Sequence, residues 1–477
     1  MSGAEKRKKR KEKEQANISQ ARFDENIFSK TEGTVGEKAN KMLNEELQVT
    51  ELEKAPADEM KKIFIHKMTN RLDVVLFGAT GYTGKYGIEY VHKLLKEKHY
   101  TWGIAGRSET KLKQTLAEYQ KTTDDDLSNV PILVADVNDV DALKAMTARA
   151  KIIINCCGPY RFYGEPVVKA CIETGTHQVD VCGEPQYMEY IQYKYHEAAK
   201  EKGVYILSAC GFDSIPCDLG LLYTAQNFGG TLNSAEIYFQ MQSGHNTSGF
   251  SINYGTWESL VHSVTHAHEL RELRSKLYPT PMPSFSPKLK PNGKGWKEKL
   301  SEADDSYDSP PTDSIICKVS GYDPGYGVTC SAVTLAAIVI LEELDKLPQK
   351  VRHIFFKHPK VFSLGLFSRE GPSKQAMQSA SFSMTFSGKG WKEKLSEADD
   401  SYDSPPTDSI ICKVSGYDPG YGVTCSAVTL AAIVILEELD KLPQNGGVYS
   451  PGAAFYDTSL LNKLQNHCLT FEVVNKS

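Results

Sequence analysis

The sequence predicts an α/β fold: a doubly wound parallel sheet, an inserted α+β second domain, and a disordered N-terminal extension. Three observations carry this expectation. From Leu72 onward, short apolar runs alternate strictly with amphipathic segments. The first apolar run ends in a glycine-rich turn that opens a helix. After about Gly211 the alternation stops, and 379–387 instead shows a period of two, with Phe382, Met384 and Phe386 set against Ser and Thr.

The elements follow in order. Strands are expected at 72–77, 101–105 and 131–135, each followed by a helix, over 84–97, 109–120 and 139–148 respectively. Further short strands fall at 151–156, 177–181 and 204–208, with helices between them. Strand and helix at this spacing imply a parallel sheet covered on both faces. Residues 231–260 read as strand-rich. The expected organisation is therefore an extension over 1–70, a nucleotide-binding domain over 71–210, a second domain over 211–444 for substrate or dimerisation, and a return to the first domain over 445–477.

Composition narrows the class. The chain has 477 residues, 40% of them hydrophobic and 24% charged, which suits a soluble globular protein with room for two cores. A net charge of −5 argues against a nucleic-acid binder. The 11 cysteines include no Cys-x-x-Cys pair, so neither a zinc ribbon nor a dithiol centre is expected, and no metal site is assigned. The basic run Lys6–Lys11 lies in polar sequence and reads as a solvated tail. Acidic residues Glu5, Glu12, Glu14, Asp24 and Glu25 disfavour a mitochondrial transit peptide. The longest apolar runs, 328–341 and 423–436, fall short of the ~18 residues that span a bilayer and read as buried helices. Peripheral membrane contact is confined to Phe355, Phe356 and 361–367.

The chemistry is concentrated in the first turn. The apolar strand Leu72-Asp73-Val74-Val75-Leu76-Phe77 runs into Gly78-Ala79-Thr80-Gly81-Tyr82-Thr83-Gly84. Gly78 permits the tight turn, Gly81 the close approach of a pyrophosphate, and Gly84 the packing of helix on strand. The helix N-terminus, with its unpaired donors and partial positive charge, receives the phosphates. This is the dinucleotide-binding arrangement of a Rossmann domain, although the spacing Gly-x-x-Gly-x-x-Gly departs from the commoner Gly-x-Gly-x-x-Gly. The second strand ends in Gly106-Arg107-Ser108, where NAD enzymes place an acid for the ribose 2′-hydroxyl. Arg107 offers a planar cation for a 2′-phosphate and Ser108 a small donor, which favours NADP(H) over NAD(H). Asp136 is a candidate partner for the adenine, or else a helix N-cap. The fourth strand runs into Asn155-Cys156-Cys157-Gly158-Pro159, small residues that leave room for ribose and nicotinamide. Cys156 and Cys157 read as small fillers rather than nucleophiles.

One feature stands apart. Residues 293–349 and 388–444 are identical over 57 positions, displaced by 95. Structural repeats drift and come in larger numbers; two perfect copies point to a recent exon duplication or to a gene-model error. The second copy is expected in the core, because 379–387 supplies a partner for its strand at 410–414. The first, at 315–319, follows a proline-rich stretch that cannot.

Five motifs in order carry a family resemblance. They are Phe77-Gly78-Ala79-Thr80-Gly81-Tyr82-Thr83-Gly84, Ala105-Gly106-Arg107, Gly158-Pro159-Tyr160-Arg161-Phe162-Tyr163-Gly164-Glu165-Pro166, Gly183-Glu184-Pro185, and the run Gly211-Phe212-Asp213-Ser214-Ile215-Pro216 continuing to Gly220. Together they resemble the saccharopine dehydrogenase-like oxidoreductases, over about 70–290 and again from 350 to the end. The resemblance implies an NADP(H)-dependent reductase of a C=N, C=O or C=C bond, with a small-molecule or lipid-derived substrate. It also implies a link to glycolipid synthesis, contact with membranes or lipid droplets, and a homodimer. The alternative is a catalytically idle NADP(H)-binding scaffold on lipid surfaces. The extension over 1–70 has no counterpart in the family, and the first copy replaces a more apolar stretch, which weighs against membrane attachment.

Hydride transfer requires a proton donor beside the nicotinamide. Tyr160, Tyr163, Glu184 and Asp213 are the candidates, because their loops fall at strand ends. Each has an equally good structural role: a buried tyrosine with a satisfied hydroxyl, or an Asp capping the helix over 215–221. Tyr190 and Lys194 match the Tyr-x-x-x-Lys of short-chain dehydrogenases, but no suitably placed serine precedes them.

Overall fold

Leu72-Asp73-Val74-Val75-Leu76-Phe77 is apolar on both sides of the pleat, so it is stable as a strand only where both faces are covered. In the computed structural model it is strand β1 (Leu72–Phe77), central in a seven-stranded sheet and buried from Asp73 onward. The structure describes residues 71–242, 252–279, 367–394 and 405–477, and the backbone of 316–320. The extension over 1–70, the apolar run 328–341, Phe355 and Phe356 lie outside the described residues.

Alternation proceeds as the periodicity implies. Helix α1 (Tyr82–Glu97) follows β1; β2 (Trp102–Gly106) precedes α2 (Glu109–Gln120); and β3 (Ile132–Val134) precedes α3 (Val140–Ala148). Then come β4 (Ala150–Asn155), α4 (Tyr160–Thr174), β5 (His177–Asp180), α5 (Pro185–Glu201) and β6 (Tyr205–Leu207). All these strands run parallel, with Val74 beside Ile152 of β4 on one flank and Trp102 of β2 on the other. The order is β13-β6-β5-β4-β1-β2-β3, where β13 (Gly447–Tyr449) comes from near the C-terminus. Chain direction across the sheet reverses between β1 and β4, the place where such folds open a ligand crevice at the carboxyl ends of the strands.

The second sheet is antiparallel, in the order β14-β12-β11-β7-β9. Helix α6 (Ile215–Phe228) leads into β7 (Thr231–Gln242). Beyond β7 the chain departs from the strand-rich expectation for 231–260. After the two-residue β8 (Ile252–Asn253), helix α7 (Tyr254–Thr265) begins, capped by the Asn253 side chain, and α8 (Glu269–Leu277) follows. Trp257, Leu260 and Val261 recur at helical spacing and are buried, so tertiary packing selects the helix there. Strand β9 (Ile316–Ser320) comes from the first copy of the duplication, and two-residue β10 (Phe367–Ser368) pairs with β8. Helix α9 (Lys374–Ser379) precedes β11 (Ser381–Trp391), in which Phe382, Met384 and Phe386 are buried as the alternation requires. This face packs on α6, where a side chain on Gly220 would stand 2.3 Å from the Phe386 ring.

Strand β12 (Asp408–Tyr417), from the second copy, pairs with β11, with Met384 beside Val414. The π-helical turn Pro419–Val423 and helix α10 (Thr424–Glu437) follow. Although the run Pro419–Glu437 is long and apolar enough to cross a membrane, 89% of it is buried, as a core helix would be. The first copy corrects an expectation. Its strand β9 is not excluded from the sheet; it pairs antiparallel with β7, Glu236 beside Ser320, because β7 offers a free edge that needs no preceding strand. Phe367, at the end of the stretch considered for membrane contact, is buried against Trp257.

Two elements also cross the domain limits read from the sequence. Helix α10 lies against α1, β4 and β5, and so covers the parallel sheet. In the C-terminal segment only β13 returns to that sheet; helix α11 (Leu460–His467) leads to β14 (Thr470–Lys476), which pairs with β12.

Candidate functional site

The three motif glycines occupy distinct steric positions. Gly78 has φ +84°, and a Cβ there would stand 2.8 Å from Cys157 Sγ and 3.0 Å from the Cys156 carbonyl carbon. Its N–H and that of Ala79 donate to the Ala105 carbonyl, at 3.0 and 3.2 Å, which ties the turn to β2. A Cβ on Gly84 would lie 2.2 Å from the Gly78 oxygen, so α1 can approach β1 only because the side chain is absent. Gly81 is different: it is exposed, and its only near neighbour would be the Gly78 oxygen at 3.2 Å. It is the N-cap of α1, with no side-chain cap and no acid in the first turn. The first-turn amides therefore face an open approach suited to an anion.

Around this turn the sequence candidates divide into committed and open groups. Thr80 is partly buried in the turn. The Tyr82 side chain is engaged with the fold. Its hydroxyl donates to the Pro372 carbonyl at 2.9 Å, and its ring packs on Tyr86 and Tyr421, so this member of the candidate list is a packing residue. Thr83, in the first turn of α1, is partly buried. Arg107 is exposed at the end of β2 and has no hydrogen bond or ion pair among the described residues. Ser108 caps α2 by accepting from Lys111 N–H at 3.4 Å, which leaves its own proton to donate. Asp136 accepts from the backbone and side-chain N–H of Asn138, both at 2.9 Å; the cap of α3 is Asp139 instead. Asn155 Oδ1 accepts from Cys157 N–H at 3.0 Å, while its Nδ2 is buried without a partner, an unmet donor beside the turn. Gly158 and Pro159 carry the chain from there into α4, with Pro159 at its N-cap.

An exposed cationic fork, a small hydroxyl donor, an orphaned amide and a glycine cradle that a Cβ would fill form a set that fits a dinucleotide with a 2′-phosphate. The cysteines add no nucleophile. Burial pushes the Cys157 thiol up to about 12 and the Cys156 thiol higher still.

The four proton-donor candidates separate just as clearly. Tyr160 is buried against Tyr187, with its hydroxyl donating to the Asn155 carbonyl at 2.8 Å, and burial holds its pKa well above the ordinary value. Glu184 is buried and clamps the start of α4. Oε1 accepts from Tyr160 N–H at 2.8 Å and from the Ser259 hydroxyl at 2.7 Å, and Oε2 accepts from Arg161 N–H at 2.9 Å. Burial nonetheless raises its pKa, outweighing those three donors. Both residues are thus structural. Tyr163 is partly exposed beside Phe162. Asp213 stands in the loop between β6 and α6, and it does not cap the helix; the N-cap is Ser214. Asp213 is half-buried, no donor among the described residues meets its carboxylate, and desolvation alone lifts its pKa to about 6. A Cβ on Gly183, in the loop after β5, would be 3.8 Å from Asp213 Oδ2, so the loops after β5 and β6 meet there.

Several residues near these loops carried no motif. Ser259 links α7 to Glu184, Arg161 forms a bidentate pair with Glu269 at 2.8 Å, and Arg274 grips the buried Glu189. Glu258, whose pKa burial raises, lies near Arg369, which stacks over the Tyr254 ring at 4.5 Å. The Asn253 cap and the spacing of Trp257, Leu260 and Val261 were the available signals for α7. Tyr190 and Lys194, by contrast, sit in the middle of α5 and bind Glu165 of α4, away from the strand ends. The short-chain dehydrogenase reading therefore has no site. Among the described residues no cluster of ligands could hold a metal ion.

Comparison with known proteins agrees with this geometry. Residues 74–207 match the model of the saccharopine dehydrogenase NADP-binding domain. A saccharopine dehydrogenase-like oxidoreductase of Rattus norvegicus is 37% identical, covering 85% of this chain and 97% of its own. A lipid droplet localized protein of Caenorhabditis elegans is 35% identical over 85% of this chain and 98% of its own. A relative in Arabidopsis thaliana whose name assigns it to mitochondria is 33% identical, over 85% and 96%.

Proposed function

Because the chain belongs to the saccharopine dehydrogenase-like oxidoreductases, with an NADP-binding domain over 74–207, we propose that it is an NADP(H)-dependent reductase in which Asp213 carries the proton. The observation behind this reading is that, of the two carboxylate candidates, Asp213 alone is uncommitted, and desolvation lifts its pKa to about 6, close to working pH. When bound, the nicotinamide supplies the hydride. The protein holds the dinucleotide by the first-turn amides of α1, fixes the 2′-phosphate with Arg107 and Ser108, and orients the ribose through Asn155. Asp213 protonates the atom that becomes basic as a C=N, C=O or C=C bond is reduced. The exposed Phe162, at the start of α4 next to Tyr163, offers apolar surface beside these loops, which supports a lipid-derived substrate. The worm relative's name favours a site at lipid droplets, the plant relative's name one in mitochondria.

The test is NADPH oxidation by the full chain with imines, ketones and enoyl thioesters, alongside Asp213→Asn. Reduction needs the protonated acid, so kcat/KM should fall about tenfold per pH unit above ~6, and Asp213→Asn should abolish turnover while NADPH still binds. Undiminished turnover in Asp213→Asn would remove the acid from the mechanism. Tight NADPH binding without turnover on any substrate would favour the scaffold reading.

A further inference from the structure

A cavity of about 630 Å³ lies where β7, β11 and β12 end against α1, α10 and α11, and no residue of the glycine turn or of the strand-end loops lines it. Its wall includes Tyr90, Gln240, Gln242, Asp418 and Ser426. We propose that this cavity is a second ligand site, for a neutral polyhydroxylated molecule such as a sugar or polyol.

The backbone at Asp418 is the first reason. Its φ is +47°, a left-handed conformation uncommon outside glycine, though one that Asp and Asn adopt more readily than other residues, and backbone of this kind gathers at ligand sites. Asp418 directly precedes the π-helical turn Pro419–Val423, a second irregularity of the sort found at functional positions. The sequence is built around the carboxylate. A side chain on Gly422 would stand within 2.9 Å of it, while the backbone N–H groups of Tyr421 and Gly422 donate to it. Even so, Asp418 Oδ1 is buried without a partner, an acceptor still lacking a donor.

The remaining lining decides the class of ligand. Tyr90 stands close enough to Asp418 to feel its charge, Gln240 and Gln242 bring amides, and Ser426 brings a hydroxyl. The one lining lysine, Lys413, lies 3.7 Å from Glu472, and His467 is the other basic residue of the wall, so amides and hydroxyls outnumber charged groups there. A carboxylate with one oxygen unmet, flanked by amides, hydroxyls and an aromatic ring, suits a molecule with many hydroxyls and no charge. Such a group comes either as a free sugar or as the head of a neutral glycolipid.

The experiment is saturation-transfer NMR on the full chain with glucose, galactose, mannose, myo-inositol and glycerol, and sedimentation with phosphatidylcholine vesicles with and without a neutral glycolipid. At least one probe should bind saturably. Asp418→Asn, which keeps shape and tolerates the left-handed backbone, and Tyr90→Phe should each weaken it about tenfold or more, with NADPH affinity and circular dichroism unchanged. Binding of free sugars alone identifies a soluble ligand, and added binding to glycolipid vesicles identifies a head group. Failure of every probe, or undiminished binding in both variants, would overturn the proposal.

Discussion

The parallel and antiparallel sheets of this chain obey different rules of assembly. Each parallel strand from β1 to β6 is followed by its own helix, and all but the edge strand β3 are largely buried on both faces, so the strands read as short continuous apolar runs at regular intervals. The antiparallel sheet draws its strands from 231, 316, 381, 408 and 470 onward, and β7 pairs with β11 across about 140 residues. One face of β11 is buried, so its alternation is plain, but nothing local names its partners. The duplicated segment makes the point within one sequence. The same residues form an edge strand beside β7 in one copy and an interior strand between β11 and β14 in the other. Context, not the segment, chooses the place.

The sharpest way to break that contrast is a matched pair of substitutions, Leu430→Asp and its twin Leu335→Asp. Leu430 is buried in α10, which covers the parallel sheet, so an unpaired carboxylate there costs several kcal/mol, on the order of the ~5–15 kcal/mol that holds a domain folded. Leu430→Asp should therefore unfold the parallel sheet in a thermal melt, and the loss at Leu335→Asp reads how far the same sequence shares that role in the first copy. Equal losses at the two sites would show that both copies have core positions.

Within the parallel sheet, two glycines separate fold from ligand. Gly81→Val places a side chain in the open approach to α1 and should abolish NADPH binding in calorimetry with little change in circular dichroism. Gly84→Ala sets a Cβ 2.2 Å from the Gly78 oxygen and should lower the melting temperature before it touches affinity specifically. NADPH retained by Gly81→Val would mean that the dinucleotide is held elsewhere.

How far the site could be read from residues follows the same division. The glycine turn, Arg107 and the strand ends belong to local strand–turn–helix units, so their spacing was informative. The partners of the Tyr82 side chain, Pro372 and Tyr421, are some 290 to 340 residues away, so no local spacing names them. At Asp136 only the cap reading failed, since the cap of α3 is set by Asp139, three residues on. The commitments of Tyr160 and Glu184 depend on folded contacts, the latter on Ser259 in a helix read as strand. Asp213 stands out only once those are known.

A smaller effect is expected at Arg107, which no described partner holds. An NADPH preference of at least ~tenfold over NADH corresponds to about 1.4 kcal/mol. Arg107→Asp should narrow or reverse it, because the acid repels the 2′-phosphate and can accept from a 2′-hydroxyl. Equal affinities for the two cofactors in the unmutated protein would remove Arg107 from that role.

The smallest effect should appear at the seam between the two regions, in Ser259→Ala. The Ser259 hydroxyl donates to Glu184 Oε1 at 2.7 Å, and Glu184 also receives the N–H groups of Tyr160 and Arg161. Loss of one of three donors leaves the carboxylate buried but still held, so the cost should be ~1–2 kcal/mol in urea unfolding. The removed donor favours the charged form, so the already raised pKa of Glu184 should rise further. A raised carboxyl pKa means that the folded state binds its proton more readily than the unfolded chain does. The deficit of the variant should therefore shrink as pH falls through that pKa and be complete above it. NADPH affinity should stay within about twofold, because Ser259 reaches only the helix clamp and not the glycine turn. If affinity fell in step with stability, α7 would belong to the cofactor site, and the seam would be part of the nucleotide-binding region.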